Sequence, residues 1–495
     1  MSARFALPTD DAAVPTRASD VAAVPVRGRV SRFASNEWLI GAVLLLIDVV
    51  SWVGIYGLIS FVRRDLFFVG PFEFVLVDVI QLAVLCQALF MIGGYDPRND
   101  KRALTYTAEH ILAVLGAAAV SSLIVYSAAA YDTSIKPSRG VVLLAFLLFL
   151  PWSLLWRRVI QRLLVGSTAN RAFLVLGAGP MAARFYESYR SSPNQQRLEF
   201  VDLERERIGQ HVAGPQSPII EGDLETKLSN LDRHYSGIVL AERLDRLHPQ
   251  LLERLVRTQF QKTRVYTLES FYEAYWRRVP VYSIDPFWPL QMGFQLARNS
   301  PYHYLKRLCD VVLSTLLLVL ALPLFGLIAL AVRLADGKPI LFRQPRVGRE
   351  GEIFTVCKFR TMHSDASPSK AEDMYTRAND PRVTRLGRWL RKLRLDELPQ
   401  LWNVLRGDMS VIGPRAEWTK CAERYEQKIP FYHFRHLVKP GITGWAQVNY
   451  PYGESEEDAI EKLKYDLYYI RHYSLKLDAM IALKTVHTVL FGKGR

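Results

Sequence analysis

The chain has 495 residues, of which 50 % are hydrophobic, and a formal net charge of +15. This length predicts about two to four domains, and its four cysteines form no Cys-x-x-Cys pair that would support a zinc or redox motif. No basic stretch accompanies a nucleic-acid module, so we expect no nucleic-acid partner; the charge instead indicates anionic head groups or anionic substrates.

The N-terminal third predicts a tail followed by a membrane unit. Residues 1–36 lack periodicity and a hydrophobic signal core, which predicts a disordered cytoplasmic tail and no cleaved signal peptide. Four transmembrane helices are predicted within 37–165, at roughly 37–62, 72–95, 106–131 and 140–157.

Basic residues flank these four segments unevenly, which predicts the orientation of the unit. One side carries Arg17, Arg27, Arg29, Arg32, Arg98, Lys101, Arg102, Arg157, Arg158 and Arg162, and the other carries Arg63, Arg64, Lys136 and Arg139. Both ends of the unit are therefore expected in the cytoplasm. Asp48 and Asp78 lie within the first two segments. They are functional candidates, although helix packing is the favoured alternative because no basic partner is evident.

Residues 171–295 predict a Rossmann-like α/β domain in the cytoplasm. An apolar strand at 172–176 leads into Gly177-Ala-Gly179-Pro-Met-Ala182, which has the spacing of a dinucleotide-binding turn. A second candidate strand at 199–203 offers Glu199 or Asp202 for a ribose. The pattern alone is weak, so a structural or regulatory domain is the favoured alternative.

An uncharged apolar run at 311–332 has basic residues at both ends. Its length suffices to cross a bilayer, but basic residues tend to stay on the cytoplasmic side, so a segment with two basic ends must enter and return. Pro323 lies at its middle, where proline kinks a helix. The sequence thus predicts a re-entrant helical hairpin that ties a polar domain to one leaflet, and chemistry between a soluble substrate and a lipid.

The stretch 339–450 carries the densest chemistry. Its arginines, interleaved with glycine and proline, are typical of phosphate binding, with a basic face on anionic lipid as the alternative. Asp396 and Glu397 form an acidic pair, and Asp396 is predicted at or near a helix N-cap, where a carboxylate is stabilised as the anion. Such a carboxylate can attack phosphorus or hold Mg²⁺; plain capping is the alternative.

A set of motifs occurs in order along the last 195 residues. They are Lys306-Arg307-x-x-Asp310, Lys358-Phe-Arg-Thr-Met362, Leu395-Asp-Glu-Leu-Pro-Gln400, Asn403-Val, Gly407-Asp-Met-Ser410, Gly413-Pro-Arg415 and Pro440-Gly-Ile-Thr-Gly-Trp-Ala-Gln447. With the hairpin, they resemble the bacterial polyprenyl-phosphate phosphoglycosyl transferases of the monotopic superfamily, across about 301–495. The preceding regions resemble the long form of that family, which includes initiating sugar transferases of exopolysaccharide, capsule and O-antigen assembly. Ala416 departs from the family's frequent Gly-Pro-Arg-Pro.

The resemblance implies a membrane protein of mixed α and α/β class, with a mostly helical catalytic domain at 301–495. It implies transfer of a sugar phosphate from a UDP-sugar to undecaprenyl phosphate, with Mg²⁺, at the bacterial inner membrane. Asp396 would be the nucleophile, Glu397 its partner, and both would hold the metal. Phosphate or substrate contacts would come from Arg391, Lys358, Arg360, Arg382 and Arg415. Thr443, Trp445 and Gln447 lie in a turn that carries polar groups and an aromatic, which could bind uridine or a sugar; a purely structural turn is an equally good alternative. Pro323 would be the hairpin breaker.

Two other classes stay open from the sequence. A membrane-anchored nucleotide-sugar dehydratase or epimerase needs a Tyr-x-x-x-Lys pair, and Tyr302 and Lys306 have that spacing outside the Rossmann-like domain. The other class is a catalytically inactive assembly scaffold, which the intact acidic pair argues against. The sequence does not choose the sugar, although glucose or galactose is favoured by the long-form resemblance. That resemblance also allows a homodimer and downstream glycosyltransferases as partners.

Overall fold

A computed structural model describes the chain from 37 to 490 with gaps. The described residues are 37–64, 72–128 without 98 and 100, 130, 139–168, 172–192, 196–202, 206–260 without 223, 230–234 and 244–246, 263–284, 288, 302–363, 380–450, 453 and 455–490. The predicted tail at 1–36 and most of 285–301 therefore lie outside the described residues.

The four predicted apolar segments are helices. They are α1 (Glu37–Arg64), α2 (Phe72–Met91), α3 (Leu104–Ala128) and α4 (Arg139–Thr168). Three are long and apolar enough to cross a membrane, over Trp38–Ile59, Tyr106–Ser127 and Arg139–Leu163, whereas the apolar stretch described in α2, Asp78–Met91, is shorter. Their shared core includes Trp52, which packs edge-on against Phe146 and Phe149.

A buried ion pair joins α1 to α4. The Arg157 guanidinium lies 2.9 Å from Asp48 Oδ1, and both side chains are buried. Tyr95 also donates to this carboxylate, at 2.9 Å. The structure therefore supplies the basic partner that the sequence analysis found missing, and the expectation that Asp48 lacks one is wrong. Arg157 is a packing residue inside the unit, not one of the flanking charges that report orientation.

The Rossmann-like domain is a five-stranded parallel sheet in the order β3-β2-β1-β4-β5. Its strands are β1 (Ala172–Leu176), β2 (Arg197–Val201), β3 (Ile220–Glu221), β4 (Tyr235–Leu240) and β5 (Val265–Thr267). The helices are α5 (Pro180–Arg190), α6 (Leu224–Ser229), α7 (Pro249–Phe260) and α8 (Leu268–Phe271), which continues as a π-helical turn, Tyr272–Trp276. All five residues of β1 are buried, as expected for a central strand with both faces covered.

The predicted dinucleotide turn is present in its backbone. Gly177 has φ +107°, and a Cβ there would lie 3.0 Å from the Ala241 carbonyl oxygen, so the turn requires glycine. Glu199, however, pairs with Lys227 at 2.7 Å and accepts from the Tyr235 hydroxyl at 2.6 Å. A ribose would have to displace these contacts, which favours the structural or regulatory alternative for the domain.

The C-terminal unit is mostly helical, with two small sheets. Its helices are α9 (Tyr302–Ala335), α10 (Arg385–Lys392), α11 (Gln400–Arg406), α12 (Thr419–Lys428), α13 (Trp445–Asn449), α14 (Glu456–Arg471) and α15 (Leu475–Leu490). The antiparallel strands β6 (Leu341–Val347) and β7 (Ile353–Phe359) form one sheet, and the parallel strands β8 (Ser410–Ile412) and β9 (Gly441–Thr443) form the other.

The predicted hairpin region is assigned as one helix, α9, with Pro323 inside it. Buried side chains occur only near its two ends, at Lys306, Asp310, Ser314, Ile328 and Val332. None of the side chains from 315 to 327 is buried and most are exposed, although the half-buried Phe325 packs against Phe359 of β7. Entry into one leaflet and return stays a prediction.

Buried charge contacts hold both ends of α9. Lys306 forms a buried ion pair with Asp478 of α15, and Asp310 accepts from the Ser410 hydroxyl and the Val411 backbone N–H, each at 3.0 Å. Beyond the other end, the Arg360 guanidinium donates to the backbone carbonyls of Asp336 and Lys338. These contacts place β7 and the following turns beside the base of the apolar helix.

Candidate active site

The acidic pair lies in a short buried turn between α10 and α11. Arg394 adopts a left-handed conformation with φ 57°, and the chain then forms a single 3₁₀ turn, Leu395–Glu397. Asp396 and Glu397 are 8 % and 7 % exposed. Helix α11 begins only at Gln400, after Pro399 at the N-cap position. Asp396 is therefore not the N-cap residue, because a separate turn intervenes.

Glu397 forms three ion pairs at this site. Its Oε1 lies 2.9 Å from Lys358 Nζ and 3.3 Å from Arg415 Nη1, and its Oε2 lies 3.6 Å from Arg394 Nη1. Although burial raises the pKa of Glu397, these three positive charges hold it well below its ordinary value. The ionised form of Glu397 is thus favoured, and its carboxylate pairs with three cations around the turn.

Asp396 has the opposite environment. Within the part of the chain that the structure describes, its carboxylate makes no hydrogen bond and no ion pair. Burial, and next the neighbouring Glu397 charge, raise the pKa of Asp396 above its ordinary value, while Lys358, Arg391 and Arg394 oppose this. Its oxygens are therefore available to a phosphorus centre or a metal ion, beside cations that would receive phosphate oxygens.

Lys358 reaches the pair from β7. Burial lowers the pKa of Lys358 to about 8, and the Glu397 carboxylate opposes this only in part because Arg415 and Arg346 add positive charge. The ammonium is consequently expected to lose its proton at mildly alkaline pH, well below the pH at which most lysines do.

Two further predicted arginines border the turn. Arg391, in the last turn of α10, donates from Nε to the Thr361 hydroxyl at 2.9 Å, and its charge acts on Asp396. Arg415 is held through its backbone, because its carbonyl accepts from Arg435 Nη2 at 3.0 Å. The structure thus brings Asp396, Glu397, Lys358, Arg391 and Arg415 together as the sequence predicts.

The other two predicted phosphate contacts are engaged elsewhere. Arg360 is 5 % exposed and donates to the carbonyls after α9, as described above. Arg382 lies 2.7 Å from the buried Asp380 carboxylate. A phosphate contact by either arginine stays a prediction. In this structure each guanidinium already contacts a group of the protein itself.

The predicted uridine or sugar loop follows β9. Trp445 is 3 % exposed, and its indole N–H donates to the Arg277 carbonyl at 2.9 Å. Thr443 shares a hydrogen bond of 2.7 Å with Thr485, and Gln447 donates to the Ile442 carbonyl at 2.9 Å. Trp445 therefore has no open ring face for a base, and the ligand role of the loop stays a prediction.

Sequence reasoning missed several residues that shape the site. Arg394 lies three residues before Glu397, so helical spacing could have identified it. Arg435 pairs with the buried Asp466 at 2.9 Å, and through the Arg415 carbonyl it fixes the loop that carries Arg415. No signal in the sequence joins Arg435 to Asp466 or to Arg415.

The donor set for a metal is small. Among the residues that the structure describes, no group of three or more His, Cys, Asp or Glu side chains could enclose a metal ion. Mg²⁺ is commonly held by one or two carboxylates together with substrate phosphates. The Asp396 carboxylate, which no described residue contacts by a hydrogen bond or ion pair, fits that mode of binding. Glu397 would have to share its oxygens between the metal and the three cations that it already pairs with.

Comparison with known proteins assigns the family. Residues 301–492 match the family model described as bacterial sugar transferase. A relative from Caulobacter vibrioides, named UDP-glucose:undecaprenyl-phosphate glucose-1-phosphate transferase, is 44 % identical over 37 % of this chain and 69 % of its own length. The chain belongs to the bacterial sugar transferase family. This confirms the predicted resemblance to polyprenyl-phosphate phosphoglycosyl transferases.

Two further bacterial sugar transferases extend the comparison. The UDP-N-acetylgalactosamine-undecaprenyl-phosphate N-acetylgalactosaminephosphotransferase of Aeromonas hydrophila is 38 % identical over 52 % of this chain and 60 % of its own. The UDP-glucose:undecaprenyl-phosphate glucose-1-phosphate transferase of Escherichia coli (strain K12) is 46 % identical over 37 % of this chain and 39 % of its own. The match to each of these two spans less than two thirds of the relative, and the two names give different sugars.

Proposed function

We propose that this chain transfers a sugar-1-phosphate from a UDP-sugar to undecaprenyl phosphate, giving undecaprenyl-diphospho-sugar and UMP. The observation that carries the proposal is the division of charge within the acidic pair. Glu397 forms ion pairs with three cations, whereas the buried Asp396 carboxylate makes no hydrogen bond or ion pair with any described residue. An unpartnered carboxylate among phosphate-binding cations is suited to covalent catalysis at phosphorus.

In the first step, an Asp396 oxygen attacks the β-phosphorus of the UDP-sugar. The bond between that phosphorus and the oxygen bridging to the α-phosphorus breaks, and UMP leaves with the bridging oxygen. The sugar phosphate is then an acyl phosphate on Asp396. Lys358, Arg391 and Arg415 are placed to bind the phosphate oxygens, whose negative charge they stabilise in the transition state.

In the second step, a phosphate oxygen of undecaprenyl phosphate attacks the same phosphorus. The bond to Asp396 breaks and the free carboxylate returns, so no proton is consumed over the cycle. Two half-reactions let a soluble donor and a membrane-bound acceptor use one site in turn. The position of the pair near the base of α9 suits a lipid acceptor, since Leu395 and Leu398 on either side of it pack with Ile328 and Val332.

Mg²⁺ is proposed as the cofactor, with Asp396 and Glu397 as its protein ligands. When bound, the ion neutralises the diphosphate and stabilises departing UMP. Glu397 keeps Lys358 and Arg415 in place whether or not the metal is present, because its ion pairs are internal to the fold.

The membrane setting follows from the helices and remains part of the proposal. Three spans in the N-terminal unit and the exposed apolar middle of α9 suit a multi-pass protein of the bacterial inner membrane with a cytoplasmic catalytic domain. The re-entrant path of α9, bent at Pro323, would keep both of its charged ends on that side. In this setting the product starts exopolysaccharide, capsule or O-antigen assembly and passes to downstream glycosyltransferases; a homodimer is compatible with it.

The structure supports the dehydratase or epimerase alternative less well than the transferase proposal. Its required pair, Tyr302 and Lys306, is engaged with Asp478, which accepts from both side chains. Neither group is free to exchange a proton with a sugar, and neither lies in the Rossmann-like domain. An inactive scaffold would not need the three cations that are ordered around Glu397, so this arrangement argues against the scaffold alternative.

The test is UMP release from a panel of UDP-sugars that includes glucose, galactose and N-acetylgalactosamine. The full-length protein is assayed with Mg²⁺, with and without undecaprenyl phosphate, beside Asp396→Asn. Lipid-dependent UMP from one sugar, absent in the variant, would support the reaction and name the donor. No UMP from any donor with folded, membrane-inserted protein would contradict the proposal.

A further inference from the structure

A second group of cations lies at the N-terminal base of α9. Arg307 Nη2 and Lys439 Nζ lie 3.5 Å and 3.7 Å from the position that a Cβ on Gly407 would occupy, so the two charges are neighbours. Arg349, in the turn between β6 and β7, adds a third charge that acts on Lys439. We call Arg307, Arg349 and Lys439 the α9-base cluster.

Among the described residues, the α9-base cluster has one ion pair, between Arg349 and the exposed Glu350. Within the described part of the chain, Arg307 donates to neutral acceptors alone, the carbonyls of Val404 and Leu405 at 2.6 and 2.7 Å. Arg349 has an ion pair of 3.0 Å with the exposed Glu350, and its buried Nε has no hydrogen-bond partner in the described part of the chain. The half-buried Lys439 ammonium makes no hydrogen bond or ion pair with any described residue.

The nearest carboxylates are already engaged. Asp310 accepts from the Ser410 hydroxyl and the Val411 N–H, and Asp408 lies 3.7 Å from Arg406. Burial, followed by the Arg307 and Arg349 charges, lowers the pKa of Lys439, and the Asp310 and Asp408 charges oppose this only in part. Three neighbouring cations whose mutual repulsion is only partly offset are stabilised further when an anion joins them.

The surroundings of the α9-base cluster indicate that this anion belongs to a lipid. Tyr304 and Leu308 are 81 % and 60 % exposed and, four residues apart, share one face of α9 directly beside Arg307. The uncharged run of α9 begins at Val311. An exposed tyrosine beside basic residues at the start of an apolar helix is typical of the bilayer surface, where anionic phosphate groups are concentrated.

The geometry points to a second phosphate site: the α9-base cluster binds the phosphate group of an anionic lipid at the bilayer surface. This site is separate from the acidic pair. Helix α11 lies between them, with Asp396 and Glu397 before its first residue and Gly407 after its last, and its seven residues span about 10 Å. The inference therefore does not depend on the proposed reaction.

Binding is tested by titrating the full-length protein in detergent micelles by calorimetry. The ligands are diheptanoyl phosphatidylglycerol, diheptanoyl phosphatidylcholine and inorganic phosphate. The variants are Lys439→Gln and Lys392→Gln, the second being an exposed lysine on α10 that lies 5.6 Å over the Trp389 ring. We expect saturable phosphatidylglycerol binding that weakens about tenfold in Lys439→Gln and less than about twofold in Lys392→Gln.

The outcomes separate the sources of the phosphate. Binding of phosphatidylglycerol but not of inorganic phosphate supports the lipid assignment, whereas equal saturable binding of inorganic phosphate would overturn it. No saturable binding, or equal weakening in both lysine variants, would overturn the site itself, since only diffuse attraction would remain. Should Lys439→Gln melt well below the wild type, Arg349→Gln at the β6–β7 turn takes its place, with the same expected loss.

Discussion

Lys358 Nζ lies 2.9 Å from Glu397 Oε1, whereas no described residue makes a comparable contact with the adjacent Asp396. Two neighbouring carboxylates thus have opposite electrostatic environments in one buried turn. Glu397 is stabilised as an anion by three cations, whereas burial makes the Asp396 anion costly. This asymmetry supports the proposal that Glu397 has a structural role and that Asp396 is the reacting carboxylate.

The first prediction concerns the stability of Asp396→Asn. The folded-state pKa of Asp396 is raised above its ordinary value of 3.8, so stability is lost as pH rises from that value through the folded pKa. The asparagine cannot ionise and avoids this loss. We expect the variant to melt above the wild type near about pH 7.5, with a difference that shrinks toward about pH 4. A lower melting temperature at neutral pH would contradict this account of the site.

The second prediction has the opposite sign, for Glu397→Gln. Removing one partner of a buried ion pair costs about 3–5 kcal/mol, and misplaced cations should slow UMP release about 100-fold. Because the folded pKa of Glu397 is depressed, its stabilisation is complete above its ordinary value of 4.5 and is lost as pH falls through the folded pKa. Thermal melts and initial rates test both effects.

The control for this variant is Glu253→Gln, which breaks an exposed ion pair with Arg257. Exposed pairs contribute about 0.2–1 kcal/mol, so we expect little change in melting temperature and none in rate. Equal losses in the two variants would show that the burial of Glu397 is unimportant.

The third prediction concerns the pH dependence of the reaction. With a pKa of about 8, Lys358 loses its charge in mildly alkaline solution, so the rate of UMP release should fall as pH rises through that value. Arginine stays charged there, so Lys358→Arg should be slower at neutral pH but keep its rate to a pH at least about one unit higher. Lys392→Arg, on the exposed face of α10, should leave the profile unchanged. An identical alkaline fall in Lys358→Arg would show that another group titrates.

The fourth prediction concerns Arg360, which the structure places at the end of α9. Its loss removes two charged hydrogen bonds to the Asp336 and Lys338 carbonyls, so Arg360→Ala should lower stability by about 2–4 kcal/mol. The KM for the UDP-sugar should be unchanged in the folded fraction. Arg343→Ala, exposed on β6, is the matched control, expected within about 0.5 kcal/mol. A raised KM with unchanged melting in Arg360→Ala would restore the sequence-based phosphate role.

The main elements of the fold could be predicted because hydrophobic periodicity marks them. The four apolar segments and the β1–Gly177 turn are present, but β2 begins at Arg197 where 199–203 was expected. Arg197 pairs with Ala172 in the sheet, and this register is set by the partner strand, which a local pattern does not contain. The second strand is therefore correct in type and wrong in its bounds.

Charges near helix ends were harder to interpret. Arg157 follows an apolar segment, as a flanking arginine would, yet it pairs with Asp48, 109 residues earlier. A residue's distance from the end of a hydrophobic run does not tell whether its side chain faces water or a neighbouring helix. Without Arg157, basic residues are still more numerous on the side predicted to be cytoplasmic, so the predicted orientation is unchanged.

The acidic pair could be predicted from the sequence, and the family resemblance implied Asp396 as the nucleophile, but the electrostatic difference between the two carboxylates required the fold. The cations that decide it, Lys358 and Arg415, are 39 and 18 residues from Glu397. Trp445 shows the same limit. An aromatic residue in a polar turn is compatible with a ligand contact and with a buried contact to Arg277, and the sequence does not distinguish the two.

The most direct test of the central claim is to trap the covalent intermediate. The full-length protein is mixed with the UDP-sugar selected by the panel and Mg²⁺, without undecaprenyl phosphate, then quenched and digested for mass spectrometry. We predict UMP release close to one equivalent, with a sugar phosphate on the peptide that carries Asp396, both absent in Asp396→Asn. Lipid-dependent turnover with no adduct and no UMP before the lipid is added would contradict the two-step route through Asp396.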